Sequence, residues 1–400
     1  MKTLALAASR WKPEKLLFAI ICAVAGAWIV LLGIALWRQH WIIDRHHAPI
    51  VTDYLEVWVA GKLALKGTAA AAYDRAFHHA AQVAAIGHPF KGFLGWHYPP
   101  LFLFVAAALA LLPYAWSFVI WVSASFALYA PVLWQIARRR EAALFALASP
   151  LSLTNIFVGQ NAFLSGTLIG GTLLFLETRP ILSGVFLGLL TYKPQLGLLF
   201  PLALVSGKRW RVLASATVTA LAGALVSLMA FGAGTLRAFL HFLPVTERAI
   251  LLGGKAGWYK LETVYGLARW FGAGNEAAWL AHGAAALACA AWVVWLWRRS
   301  DVSFAIKAAA LSAGALVMTP YLYMYDLPIL AVPVAFLFRD RPFNVFEWLW
   351  IAIANLLIIG FVWLKLPVGP FMILIVLGLI ARRILQPQSG FAPALAAQHA

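Results

Sequence analysis

Long stretches without a single charge limit what this chain can fold into. Residues 16–37, 99–137, 142–176 and 212–236 carry no Asp, Glu, Lys or Arg, and residues 277–297 carry none either. A backbone in lipid must satisfy its own polar groups, so only helices and closed barrels can span. Barrel strands alternate apolar and polar residues over segments of about ten. These runs are continuous, which predicts helices.

Composition agrees. The chain of 400 residues is 63% hydrophobic and 11% charged, against ~25% charged in a soluble domain. The expected fold class is an all-α polytopic membrane protein forming one integral domain over residues 1–400. At ~20 residues per span, the runs predict about ten to twelve transmembrane helices, several of them short or broken. The first run of 22 residues exceeds the ~7–15 residues of a signal-peptide core, so it reads as a retained helix. Lys2, Arg10, Lys12 and Lys15 precede it and favour a cytoplasmic N-terminus.

The net charge is +17. Its basic clusters flank apolar runs: Arg138, Arg139 and Arg140, then Lys208-Arg209, Arg298-Arg299 and Arg382-Arg383. That placement points to membrane orientation and anionic-lipid contact rather than nucleic acid. A phosphorylated lipid substrate is the functional alternative. Cys22 and Cys289 both sit inside apolar runs, so no disulfide framework is implied.

Two polar segments stand out, a large first extracytoplasmic loop at 38–98 and a second loop at 237–276, with a short tail at 385–400. If the first loop is outside, two full spans between 99 and 137 would place three arginines outside as well, against the positive-inside tendency. A half-span or re-entrant piece within 99–177 would remove the conflict.

Asp53 heads an amphipathic stretch over residues 54–65. It can cap that helix, serve as a general base, or do both. Lys193 is the one charge within residues 181–206 and is followed by Pro194. A lysine there costs at least ~2.5–3.5 kcal/mol on insertion scales, and the proline breaks the helix. The pair predicts a cation at a helix break facing a cavity, suited to a phosphate; the alternative is a snorkelling side chain. Gln160 and Asn161, after Gly159, interrupt an apolar run with amides fit for interhelical hydrogen bonds or sugar hydroxyls. Asp326 is an acid within an apolar run, preceded by Tyr321, Tyr323 and Tyr325, and such an acid is a functional candidate. On helical spacing, Tyr321 and Tyr325 share a face. His97 and Tyr98 close the first loop. Trp258 and Tyr259 in the second loop suit sugar or headgroup recognition. No HExxH, CxxC, GxxxxGK[ST] or GxSxG motif is present, so no metal site or ATP-driven pump is indicated.

Together these segments resemble glycosyltransferase family 87 of the GT-C superfamily, over about residues 15–340. The carriers are Asp53-Tyr54 with Gly61 to Gly67 and Tyr73-Asp74 after it, then Tyr98-Pro99-Pro100-Leu101 and Gly159-Gln160-Asn161. Tyr192-Lys193-Pro194-Gln195 and the Pro320-Tyr321 to Tyr325-Asp326 segment follow. The resemblance implies a GT-C-type bundle in the bacterial inner membrane, with its active site on the extracytoplasmic face. It implies transfer of a hexose, mannose among the candidates, from a polyprenyl-phosphate sugar to a lipid or glycan acceptor. Asp53 then maps onto the catalytic acid-base position. The residues themselves read as a donor phosphate site at Lys193 and His97, and as sugar or acceptor contacts at Gln160, Asn161, Tyr98, Gln195, Tyr321, Tyr325, Asp326, Trp258 and Tyr259. No cofactor is required. The competing readings are a multi-pass transporter or lipid flippase and a non-catalytic assembly partner.

Overall fold

The computed structural model describes residues 13–92, 94–255 and 257–386; most of the expected tail at 385–400 therefore lies outside the described residues. The protein is 77% helical, with no strand among the described residues. Helix α1 (Pro13–Trp37) is an apolar span with little of its surface covered by the rest of the fold. The first loop folds into α2 (Tyr54–Leu65), a short turn at Ala69–Tyr73, and α3 (Arg75–Ile86), which Asp74 caps by accepting from Phe77 N. Then come α4 (Leu103–Ala110), α5 (Tyr114–Ala137), α6 (Glu141–Ala148), α7 (Pro150–Val158) and α8 (Ala162–Phe175). Helices α9 (Pro180–Leu189), α10 (Phe200–Ser206) and α11 (Trp210–Glu247) follow. The rest is α12 (Val264–Trp270), α13 (Asn275–Arg298), α14 (Phe304–Val317), α15 (Ala331–Asp340), α16 (Val345–Leu356), α17 (Ile358–Leu364) and α18 (Gly369–Leu385).

Five of these segments are long and apolar enough to cross a membrane: Phe18–Trp37, Tyr114–Ala137, Trp210–Leu252, Asn275–Arg298 and Val345–Leu364. Helices α6 and α7 form a sixth candidate bent by 68° at Ser149, where Pro150 cannot continue the α6 hydrogen bonding. Against the ten to twelve transmembrane helices expected, the described residues hold five long enough to span, or six with the bent pair; five further apolar helices are shorter. The second polar segment is shorter than its composition suggested. Residues 237–252 continue α11 and a π-turn, so irregular chain starts at Gly253. Gly232, at φ 77°, kinks α11 where a residue with a Cβ would be strained.

One of the two apolar helices between 99 and 137 is short. Pro100–Ala110 is too short to cross a ~30 Å hydrocarbon core at 1.5 Å per residue. Both its ends stay near Asp53: Tyr98 lies at its start, while Leu109 O accepts from Ser117 Oγ at 2.7 Å and Leu112 O from Trp58 Nε1 at 3.1 Å. Tyr54, beside Asp53, bonds Ser117 in turn. Of these two helices only α5 is long and apolar enough to cross, and Arg138, Arg139 and Arg140 follow its far end. That far end is rich in basic residues. Arg209 pairs with Glu177 at 2.8 Å, Arg383 reaches Asp340 at 3.7 Å, and Lys307 lies in electrostatic reach of Arg209.

The core sits around α8 and α14, whose faces are buried almost all round. Both are rich in Ala and Gly, and small side chains let neighbouring backbones approach where lipid offers no hydrophobic drive between helices.

Candidate active site

Gly159 begins the site. It ends α7 in the left-handed conformation, φ 70°, and a Cβ there would lie 2.6 Å from Phe118 and 2.7 Å from Tyr54. Glycine lets the chain turn sharply beneath Asp53, and its carbonyl accepts from Trp121 Nε1 at 2.9 Å. Asn155 completes the corner, its Oδ1 accepting from Ala162 N at the start of α8. Asn155 Oδ1 thus serves the local turn, while Gln160 and Asn161 both bond Tyr98.

Those two amides connect the predicted residues into one network. Gln160 Nε2 donates to Asp53 Oδ2 at 3.1 Å, and Tyr98 OH donates to Gln160 Oε1 at 3.0 Å. Asn161 Nδ2 donates to Tyr98 OH at 2.7 Å, and Lys193 Nζ donates to Asn161 Oδ1 at 2.8 Å. Lys193 Nζ also meets Asp326 Oδ1 at 2.5 Å, and Asp326 Oδ2 accepts from Tyr323 N. The line runs unbroken from Asp53 to Asp326.

Asp53 occupies the N-cap position of α2, yet its carboxylate makes no capping hydrogen bond. Its oxygens are free for Gln160 and for a substrate. The side chain is half-buried, and burial holds its carboxyl above the usual carboxylate range; the Gln160 hydrogen bond and then the Lys260 charge pull it back down. Glu56, one turn along α2, is buried beside it. Burial first, and Asp53's charge second, hold Glu56 well above the ordinary range. Sequence reasoning missed Glu56, although an acid three residues after Asp53 shares its helical face.

Lys193 lies where the helix break was expected: the helix stops at Tyr192, Lys193 is non-helical, and Pro194 opens a new turn. Its ammonium is only 7% exposed and is already met by the 1% exposed Asp326. It does not face lipid. His97 points elsewhere. Its Nδ1 shares a hydrogen bond with Thr246 Oγ1 at 2.9 Å, its ring stacks on Phe242, and burial lowers it to about 4, so it is neutral near pH 7. Gln195 is half-buried in its turn and makes no hydrogen bond to the network among the described residues.

The tyrosine segment departs from the helical spacing argument. Residues up to Tyr323 are extended, because Leu261 bridges Tyr323 and Glu262 N donates to Leu322 O at 2.7 Å. Tyr321 consequently packs with the second loop, and it is Tyr323, not Tyr321, that stacks on Tyr325, with ring centres 5.2 Å apart. The same bridge holds the loop against the site. Glu262, fully buried and pushed up to about 8 by burial, anchors the loop by accepting from Gly369 N at the start of α18. Trp258 lies under Arg269, 4.1 Å from ring centre to guanidinium, and Tyr259 packs on Phe361. Lys260 follows them. It is exposed, forms no ion pair among the described residues, and its charge acts on Asp53 more strongly than that of Lys193.

The family model for glycosyltransferase family 87 matches residues 96–320, more than half of the chain. The chain belongs to glycosyltransferase family 87. It is accordingly a membrane glycosyltransferase with several apolar helices. The matched stretch contains Tyr98, Gln160, Asn161, Lys193 and the second loop, whereas Asp53 and Asp326 flank it and reach it through the hydrogen bonds above. Comparisons with curated proteins and with solved structures give no match.

Proposed function

We propose that this family 87 enzyme moves a hexose from a polyprenyl-phosphate sugar to a lipid or envelope glycan acceptor, with inversion at the anomeric carbon. Asp53 takes the proton from the acceptor hydroxyl as that oxygen bonds to the anomeric carbon. The bond from that carbon to the donor phosphate breaks, and polyprenyl phosphate leaves as an anion, needing positive charge rather than a proton. The observation that carries the reading is the Asp53 carboxylate, unspent on its own helix and oriented by Gln160. The basic ends of the bundle lie away from Asp53, which by the positive-inside tendency supports an extracytoplasmic site in the bacterial inner membrane. Mannose is the sugar the family resemblance favours. Incubating membranes with radiolabelled polyprenyl-phosphate mannose tests the whole reading: label should enter a lipid or glycan fraction only when the enzyme is present. Label that crosses the bilayer on intact donor, with no transfer, would establish the flippase reading, which the buried Lys193–Asp326 pair at broken helices favours.

The leaving phosphate needs a cation that is not already neutralised. Lys260 fits this role, while Lys193 acts from below by fixing Asn161 and Asp326, and neutral His97 offers a hydrogen bond rather than a charge. Lys260→Gln should raise the donor KM about tenfold, equivalent to ~1.4 kcal/mol, with Lys260→Arg recovering most of the loss. An unchanged donor KM in the Gln variant removes Lys260 from the phosphate site.

Trp258 and Tyr259 form the outer wall on the acceptor side, next to Lys260. The Trp258→Ala/Tyr259→Ala double variant should raise the acceptor KM several-fold at saturating donor and leave donor affinity unchanged. A fall in donor affinity instead would place Trp258 and Tyr259, with Lys260, at the donor rather than the acceptor.

A further inference from the structure

One sizeable cavity does not lie at the chemistry. A space of about 720 Å³ opens between α6, α7, α15 and α16, with α1 as an outer wall through Phe18 and Ile21. None of Asp53, Tyr98, Gln160, Asn161, Lys193 or Asp326 lines it. It borders the 68° bend between α6 and α7, with Ser149 on its wall. Its inner wall is apolar. The polar side chains on it already have partners: Ser149 Oγ donates to Asn355 Oδ1, Asn355 Nδ2 to Ile351 O, and Ser152 Oγ to Ala146 O. Such a wall gives water nothing to bond and suits hydrocarbon, and the volume falls within the ~300–1,000 Å³ of small-molecule sites.

The mouth is different. Arg139 and Glu141 line it, both exposed, and the Arg139 side chain has no ion pair among the described residues. Arg138 and Arg339 lie in reach of each other's charge at the same end. Glu141 and, in Arg339's field, Glu177 offset part of this charge; three guanidinium groups against two acids leave a net positive mouth, and anionic headgroups are drawn to such clusters.

We propose that this cavity is a binding site for one anionic phospholipid, an acyl chain lying inside it and the phosphate at Arg139. The occupant belongs to the membrane leaflet opposite the reaction. Leu327 and Pro328 form part of the cavity wall directly after Asp326, and Tyr129 OH donates to Pro328 O at 2.7 Å. A lipid there would brace the turn that presents Asp326 to Lys193.

The test is native mass spectrometry of the purified, delipidated protein titrated with phosphatidylglycerol or phosphatidylcholine. Wild type should retain one phosphatidylglycerol at a concentration about tenfold below that needed for phosphatidylcholine. Arg139→Gln should erase the difference between the two lipids. Ala142→Trp, or Val334→Phe should the first fail to fold, should lose retention of both. Arg209→Gln, a basic-end change outside the cavity, should behave as wild type. Equal retention of the two lipids by wild type, or undiminished selectivity in Arg139→Gln, would overturn the proposal. So would one-for-one displacement of phosphatidylglycerol by polyprenyl phosphate, which would make the cavity a donor-tail groove.

Discussion

Asp53→Asn should lower kcat by ~10²–10⁴-fold, the contribution of a positioned general base, with expression and melting behaviour unchanged. The folded state has no stake in the negative charge, because Asp53 makes no capping bond and Gln160 Nε2 can donate equally to an amide oxygen. The pH profile offers an independent check. A base must be ionised to act, so the rate should rise as pH increases through Asp53's pKa and then level off. Burial places that limb above the ordinary aspartate value near 3.8, and the Lys260 charge holds it down. Lys260→Gln should therefore move the acidic limb to higher pH, a shift that a purely structural lysine would not produce. Should the Asn variant turn over normally while Glu56→Gln does not, the base is Glu56.

Much of this site was legible in sequence because its parts are local signals. A glycine followed by two amides inside an apolar run marks a turn with hydrogen-bonding side chains, and Lys193-Pro194 marks a helix break. Both features hold in the structure. What lay beyond reach are contacts between distant segments. The Lys193 to Asp326 pair spans 133 residues, and the Tyr98 to Gln160 bond spans 62. No periodicity encodes such a partner, so Lys193 reads from sequence as a free cation. Tyr321 and Tyr325 illustrate the opposite error: helical spacing was applied to a segment that the Leu261 bridge holds extended. The number of spanning helices is limited in the same way, since composition cannot tell a short buried helix such as α4 from a span. Glu56 went unnoticed because it is not unusual by type, and Lys260 reads from sequence only as one charge in an aromatic loop; their place in Asp53's field makes them chemical.

That distinction makes Lys193 the sharper test of structure against sequence. Read from sequence, Lys193→Met should weaken donor binding and do little else. Read from the structure, it leaves Asp326 buried with an uncompensated charge, which costs ~3–5 kcal/mol when one partner of a buried pair is removed. The expected result is thus a protein that melts much earlier in detergent, measured by fluorescence-detected size exclusion after heating. Removing both charges separates the two accounts. Lys193→Met with Asp326→Leu should recover most of the lost stability, since a buried ion pair is often replaceable by apolar groups of similar volume. It should not recover turnover. Asn161 Oδ1 would still lack its donor, and Asn161 orients Tyr98, which in turn orients Gln160 on Asp53. A single Met variant as stable as wild type but with a raised donor KM would show the ammonium to be a phosphate ligand after all, with Asp326 only its resting partner.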